Sequence, residues 1–179
     1  IDAEAFQDLK KIEKLHLDRN MLTSPLGGIL PSSKTLSRLG LTNNMLTLFE
    51  NTWHRKWPKL ASLQLGYNDL GLDENLHSKL LEFSNREQTI KIGLAENKIT
   101  NFPLLHLPES QKSQIVIDLQ GNKLKCDCQT LDLWKLIKFS NQSIRIKGEV
   151  RCLNLNNELL ADVDSSTLSC PFPCGQLSP

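Results

Sequence analysis

The chain has 179 residues, 39% of them hydrophobic and 23% charged, with a formal net charge of +1. That length is enough for one domain with a substantial core. The near-neutral balance argues against a dedicated nucleic-acid binder, and no stretch is long and apolar enough to span a membrane.

Along the chain a phrase of Leu or Ile at fixed offsets, closed by Asn, recurs five times. The first copy is Ile12, Leu15, Leu17, Asn20 and Leu22, with Phe6 and Leu9 leading into it. Leu36, Leu39, Leu41, Asn44 and Leu46 repeat it, and so do Leu60, Leu63, Leu65, Asn68 and Leu70, with Trp57 three residues ahead. The fourth and fifth copies run through Ile92, Leu94, Asn97 and Ile99 and through Ile117, Leu119, Asn122 and Leu124. These two open on Thr89 and Gln114 in place of Leu, which predicts looser packing in the last two coils. A repeat period in this range marks stacked structural units.

Within each phrase apolar and polar residues alternate, as in a half-buried strand. One such strand cannot bury its apolar face; stacking the copies joins the faces into a continuous core of parallel strands. The Asn after each strand can donate to and accept from backbone groups that the following bend leaves unpaired. Between the third and fourth copies, Leu76, Leu80 and Phe83 fall near helical spacing and predict a short helix on the return side. Trp53, four residues before Trp57, has no place in this register and is expected at the surface.

This phrase resembles that of the leucine-rich repeat family. The resemblance implies an α/β solenoid, with parallel strands on a concave face and irregular or short helical returns on the convex side. About five strand-bearing coils occupy residues 1–124. The chain opens within a return segment, so a signal peptide and an N-terminal cap are expected upstream.

All five cysteines, Cys126, Cys128, Cys152, Cys170 and Cys174, follow the last repeat. Four of them permit three pairings from sequence alone, and four thiolates are also a possible zinc set, although the C-x-x-C knuckles of structural zinc sites are missing. The pattern resembles the cysteine-rich C-terminal cap of extracellular leucine-rich repeat proteins. That resemblance implies disulfides Cys126 to Cys152 and Cys128 to Cys170, and a cap over residues 125–171 with no metal or other cofactor. A helix over Thr130 to Phe139, bearing Leu131, Trp134, Leu136 and Ile137, would close the open end of the core. Asn141-Gln142-Ser143 is the one glycosylation sequon. Cys174 is left over, and residues 172–179 read as a junction toward a second cysteine-rich module. Caps in tandem are a habit of Toll-type receptor ectodomains and of Slit-type secreted guidance proteins.

The histidines His16, His54, His77 and His106 are scattered over different coils without triad partners beside them, and nothing else points to an enzyme. What remains is a binding surface. Lys14, His16, Asp18, Arg19, Arg38, Thr42, Asn43, Ser62, Gln64, Tyr67, Lys91, Glu96, Val116, Asp118 and Gln120 face outward on the strand side by register. Among them Tyr67, Arg38, Arg19 and His16 are the candidate ligand contacts, with Tyr67 the anchor type common at interfaces. A second candidate surface is the basic end-piece, with Lys135 and Lys138 foremost among Lys123, Lys125, Arg145, Lys147 and Arg151. The Toll-type resemblance implies an extracellular piece of a single-pass receptor. Its partner would be a secreted cystine-knot cytokine of the Spätzle type, in innate immunity or development, or a second receptor. A Slit-like adhesion protein and a purely structural end-piece are the alternatives.

Overall fold

The structure is a computed structural model that describes residues 5–6, 8–9, 11–84, 88–102, 114–139 and 144–168. Expectations for His106, Asn141, Cys170, Cys174 and the 172–179 junction lie outside these residues.

Six short strands form one parallel sheet: β1 (Lys14–His16), β2 (Arg38–Gly40), β3 (Ser62–Gln64), β4 (Ile90–Gly93), β5 (Ile115–Asp118) and, after the two-residue β6 (Lys123–Leu124), β7 (Ile144–Lys147). A separate parallel pair joins β6 to β8 (Arg151–Cys152). The register follows the phrase. Leu15 lies opposite Leu39, Leu39 opposite Leu63, Leu63 opposite Ile92, and Ile92 opposite Ile117. Backbone pairing continues beyond the strands, with Arg19 N donating to Thr42 O, Asn43 N to Gly66 O, Tyr67 N to Ala95 O and Glu96 N to Gln120 O, each at 2.8 to 2.9 Å. The sixth strand of the sheet lies outside the repeat phrase. Ile144 and Ile146 pair with Ile115 and Ile117, so the basic segment after the fifth coil joins the sheet.

The ladder of asparagines holds the bends together through shared carbonyls. Asn44 Nδ2 donates to Leu17 O and Leu41 O, and Asn68 Nδ2 to Leu41 O and Leu65 O. Asn97 Nδ2 continues to Leu65 O and Leu94 O, and Asn122 Nδ2 to Leu94 O and Leu119 O. Each side-chain oxygen reaches back to an amide of the preceding coil: Leu22 N, Leu46 N, Leu70 N, and for Asn122 both Asn97 N and Ile99 N. Asn20 departs from this scheme. It sits beside the edge strand β1, is exposed, and among the described residues bonds the local carbonyls of Leu17 and Asp18.

The returns carry α1 (Trp53–Lys56) and α2 (Leu76–Leu81), the latter extended by a 3-10 turn over Glu82–Ser84. Trp53 is buried, against expectation. It stacks between Phe49 at 5.0 Å and Trp57 at 5.5 Å, and Phe49 meets Phe83 edge-on at 5.9 Å. Tilted and edge-on pairs are favourable arrangements for such a row. Asp73, also buried, accepts from Phe49 N at 2.8 Å and pairs with Lys79 Nζ at 2.8 Å, which compensates its charge.

The expected loosening of the last two coils is not seen. Ile90, Ile92, Ile115 and Ile117 are as fully buried as Leu39, Leu41, Leu63 and Leu65, and it is Ile12, Leu15 and Leu17 of the first coil that are half-buried. The β-branched Ile90 and Ile115 follow Thr89 and Gln114 and fill the core, while β1 has a neighbour on one side alone.

Beyond the fifth coil a 3-10 turn (Cys128–Thr130) leads into α3 (Leu131–Phe139). Asp127 and Thr130 form a reciprocal capping box ahead of that helix. Leu133 is its fully buried residue; Leu131, Trp134, Leu136 and Ile137 are half-buried against the core. Cys126 and Cys152 form a disulfide. Cys128 is disulfide-bonded as well, and the assignment of Cys170 as its partner lies outside the described residues. Asn154 locks Cys126 from the far side, accepting from its N at 2.7 Å and donating to its O at 2.8 Å. Among the described residues no helix is long and apolar enough to cross a membrane.

Candidate functional site

Because side chains alternate across a strand, the outward face of the sheet carries two rows. One runs Lys14, Arg38, Ser62, Lys91, Val116, Arg145; the other His16, Gly40, Gln64, Gly93, Asp118, Lys147. Val116 is buried, so its expected exposure is corrected; the long residues Lys91 and Arg145 flank it in the row.

His16 and Arg38 are brought together. With Asp18, Thr42, Ser62, Gln64 and Lys91 they line a groove of about 550 Å3 over β1 to β4. Asp18 is committed within it: its Oδ1 accepts from Thr42 N at 2.8 Å and its Oδ2 lies 3.4 Å from His16 Nδ1. The carboxylate occupies the space above Gly40, where any Cβ would collide with it. Gln64 likewise lies over Gly93, so the two glycines of this row are covered by the polar side chains of neighbouring strands.

Tyr67 and Arg19 do not line this groove. They occupy the position just before the ladder Asn, where the backbone is left-handed in every coil: Arg19 at φ 57°, Asn43 at 57°, Tyr67 at 55°, Glu96 at 55° and Gly121 at 74°. Glycine takes this conformation without penalty and a bulky residue does not. Tyr67 nonetheless holds it, with its side chain 60% exposed. The candidate ligand contacts thus divide between a groove over the strands and a line of bend residues at the strands' C-terminal ends.

The basic end-piece is not one surface. Arg145 and Lys147 face outward on β7, in the sheet. Lys123 and Arg151 line a smaller groove with Glu96 and Glu149, and Arg151 pairs with Glu149 at 2.9 Å. Lys135 and Lys138 lie on α3, where Lys135 pairs with Asp132 at 3.0 Å. Sequence could not separate these, because the pairing of β7 with the distant β5 decides which cations share a face. Among the described residues no group of His, Cys, Asp and Glu could hold a metal ion.

The parallel sheet, its asparagine ladder and the outward polar face define a leucine-rich repeat type of fold. Two solved structures of the Drosophila Toll–Spätzle complex share it. The first superposes with a TM-score of 0.69 at 22% identity, covering 95% of this chain and 24% of the other; the glycosylated form gives 0.65, 22%, 95% and 24%. The chain thus resembles a Toll-type receptor ectodomain, and spans about a quarter of the chain it matches. No protein-family model matches the sequence, and no curated protein does.

Proposed function

We propose that this chain is a non-enzymatic, protein-binding piece of a Toll-like receptor ectodomain. The observation that carries the proposal is the superposition of nearly the whole chain on the Toll ectodomain structure, joined to an outward sheet face whose polar side chains are open to a partner. In this reading residues 1–124 are terminal coils of a longer solenoid, residues 125–171 are its disulfide-stapled cap with Cys128 bonded to Cys170, and residues 172–179 lead through Cys174 into a further cysteine-rich module. The piece is extracellular, belongs to a single-pass membrane receptor, and carries a glycan on Asn141. Its partner is a Spätzle-like cystine-knot cytokine acting in innate immunity or development, or a second receptor.

The test is titration of the intact ectodomain with its candidate cytokine, using surface plasmon resonance on three proteins: wild type, a Tyr67→Ala/Arg38→Ala double variant, and a Lys135→Glu/Lys138→Glu double variant. Loss of affinity in the first variant assigns recognition to the sheet side, since large hydrogen-bonding side chains dominate interface energies. A slower, less salt-sensitive association in the second assigns it to the end-piece. Unchanged affinity and rate in both folded variants would make this piece structural.

A further inference from the structure

The sixth strand changes what the outer row of the sheet is. By register, Lys14, Arg38, Lys91 and Arg145 stand in one line across all six strands, separated by Ser62 and Val116. All four cations are exposed, and none of them forms an ion pair among the described residues. No acidic residue occupies the row. Lys14 and Arg38 face each other on neighbouring strands, and like charges so placed disfavour pairing, a cost that an anionic ligand would relieve. The nearest carboxylate in the groove, Asp18, is already engaged by Thr42 N and lies close to His16.

Spacing identifies the ligand. Neighbouring strands lie about 4.8 Å apart, so Arg38, Lys91 and Arg145, each two strands from the next, recur about every 10 Å. A polyproline-type segment has three residues per turn at ~3.1 Å each and presents the same face about every 9 Å. A β-extended ligand presents its alternate residues about every 7 Å and falls out of step. The adjacent row contains two glycines, Asp118 and a single lysine, so the cations run in single file. That suits one line of carboxylates better than a sulfated polysaccharide, whose charges project on several sides.

We infer that Arg38, Lys91 and Arg145 bind an extended acidic peptide segment carrying a carboxylate at every third residue, lying across the strands, with Lys14 beside Arg38 at the end of the row. This rests on the proposed protein-binding role and names the chemistry of the partner it would take.

The probe is a fluorescein-labelled peptide of four Glu-Pro-Pro repeats, followed by fluorescence anisotropy. An isomer with its glutamates in one block and its prolines in another is the control. The repeat peptide is expected to bind about tenfold more tightly than the block peptide and to weaken with salt, and Lys91→Glu should cost it about tenfold or more while Lys91→Gln costs less. Lys91 is exposed, so both variants keep the fold, which circular dichroism checks. Equal affinity for the two peptides, or binding indifferent to Lys91→Glu, would overturn the inference. So would a heparin hexasaccharide that binds through Lys91 where the repeat peptide does not. Undiminished binding of a Spätzle-type cytokine to Lys91→Glu, with no binding of the peptide, sinks the row and leaves the receptor reading intact. Binding of the peptide with no response to the cytokine sustains the row and removes that partner.

Discussion

Asn68→Ala should lower stability by about 3 kcal/mol, and the origin of that figure is local. Asn68 is buried and makes four bonds: its Nδ2 donates to Leu41 O and Leu65 O at 2.9 Å and to Gly66 O at 3.2 Å, and its Oδ1 accepts from Leu46 N at 2.9 Å. Truncation does not affect these partners equally. Leu41 O keeps Asn44 Nδ2 and Leu65 O keeps Asn97 Nδ2, because neighbouring rungs share carbonyls. Leu46, itself fully buried, loses the acceptor of its N–H. An orphaned buried donor costs roughly 1–3 kcal/mol, and each weakened bond adds about 0.5–1.5. Asn75 provides the contrast: it precedes α2, is exposed, and makes no side-chain capping bond, so Asn75→Ala should stay within about 0.5 kcal/mol of wild type. Urea unfolding followed by the emission of the buried Trp53 and Trp57 measures both. With a slope of roughly 2–3 kcal/mol/M, the midpoint of Asn68→Ala should fall by about 1 M. A third variant separates bond loss from volume loss. Asn68→Asp keeps an acceptor for Leu46 N but sets a carboxylate against the Leu41 and Leu65 carbonyls, which raises its folded-state pKa. Its penalty is therefore full at neutral pH, declines as pH falls through that raised pKa, and is gone below the unfolded value of about 4. Coincident midpoints for Asn68→Ala and Asn75→Ala would refute the ladder as the source of the stability.

Three further outcomes are expected. Tyr67→Gly should raise the melting temperature while weakening any ligand that Tyr67 anchors: the left-handed backbone costs an L-residue about 1–2 kcal/mol, against about 0.4–1 for the freedom glycine adds to the unfolded chain, and a lower melting temperature contradicts this. Replacing Cys126 and Cys152 together by Ala opens a bridge that spans 26 residues and should cost about 3.5 kcal/mol on the chain-entropy relation; differential scanning calorimetry checks it, and a loss under about 1 kcal/mol means that Asn154 and the β6–β8 pair hold the segment unaided. Burial lowers the His77 pKa below its ordinary 6.5, with the nearby Asp73 charge opposing, so the unfolded chain takes the proton first. The contribution of neutral His77 is present above pH ~6.5 and is lost as pH falls through the lowered folded pKa, and wild type should lose stability relative to His77→Gln between about pH 7 and 5 in urea titrations.

Much of this protein is determined by the sequence read alone. Apolar residues at offsets of three and two followed by Asn can bury their faces only by stacking, so the parallel register of Leu15, Leu39, Leu63, Ile92 and Ile117 follows from the repeat itself, as does the short helix at Leu76–Leu81. Other features depend on which segments meet in space. The strand Ile144–Lys147 carries no repeat phrase and joins the sheet because Ile115 and Ile117 would otherwise leave an open edge. Trp53 is buried because Phe49 and Trp57 of its own return pack on it and Phe83 of the next return packs on Phe49. Asn154 meets Cys126 across 28 residues with nothing local to announce it. The binding surface is of the same kind. Residue types told that Arg38, Lys91 and Arg145 were charged, but only the strand order aligned them, because a row across a sheet is made of one residue from each coil and its pitch is the distance between strands.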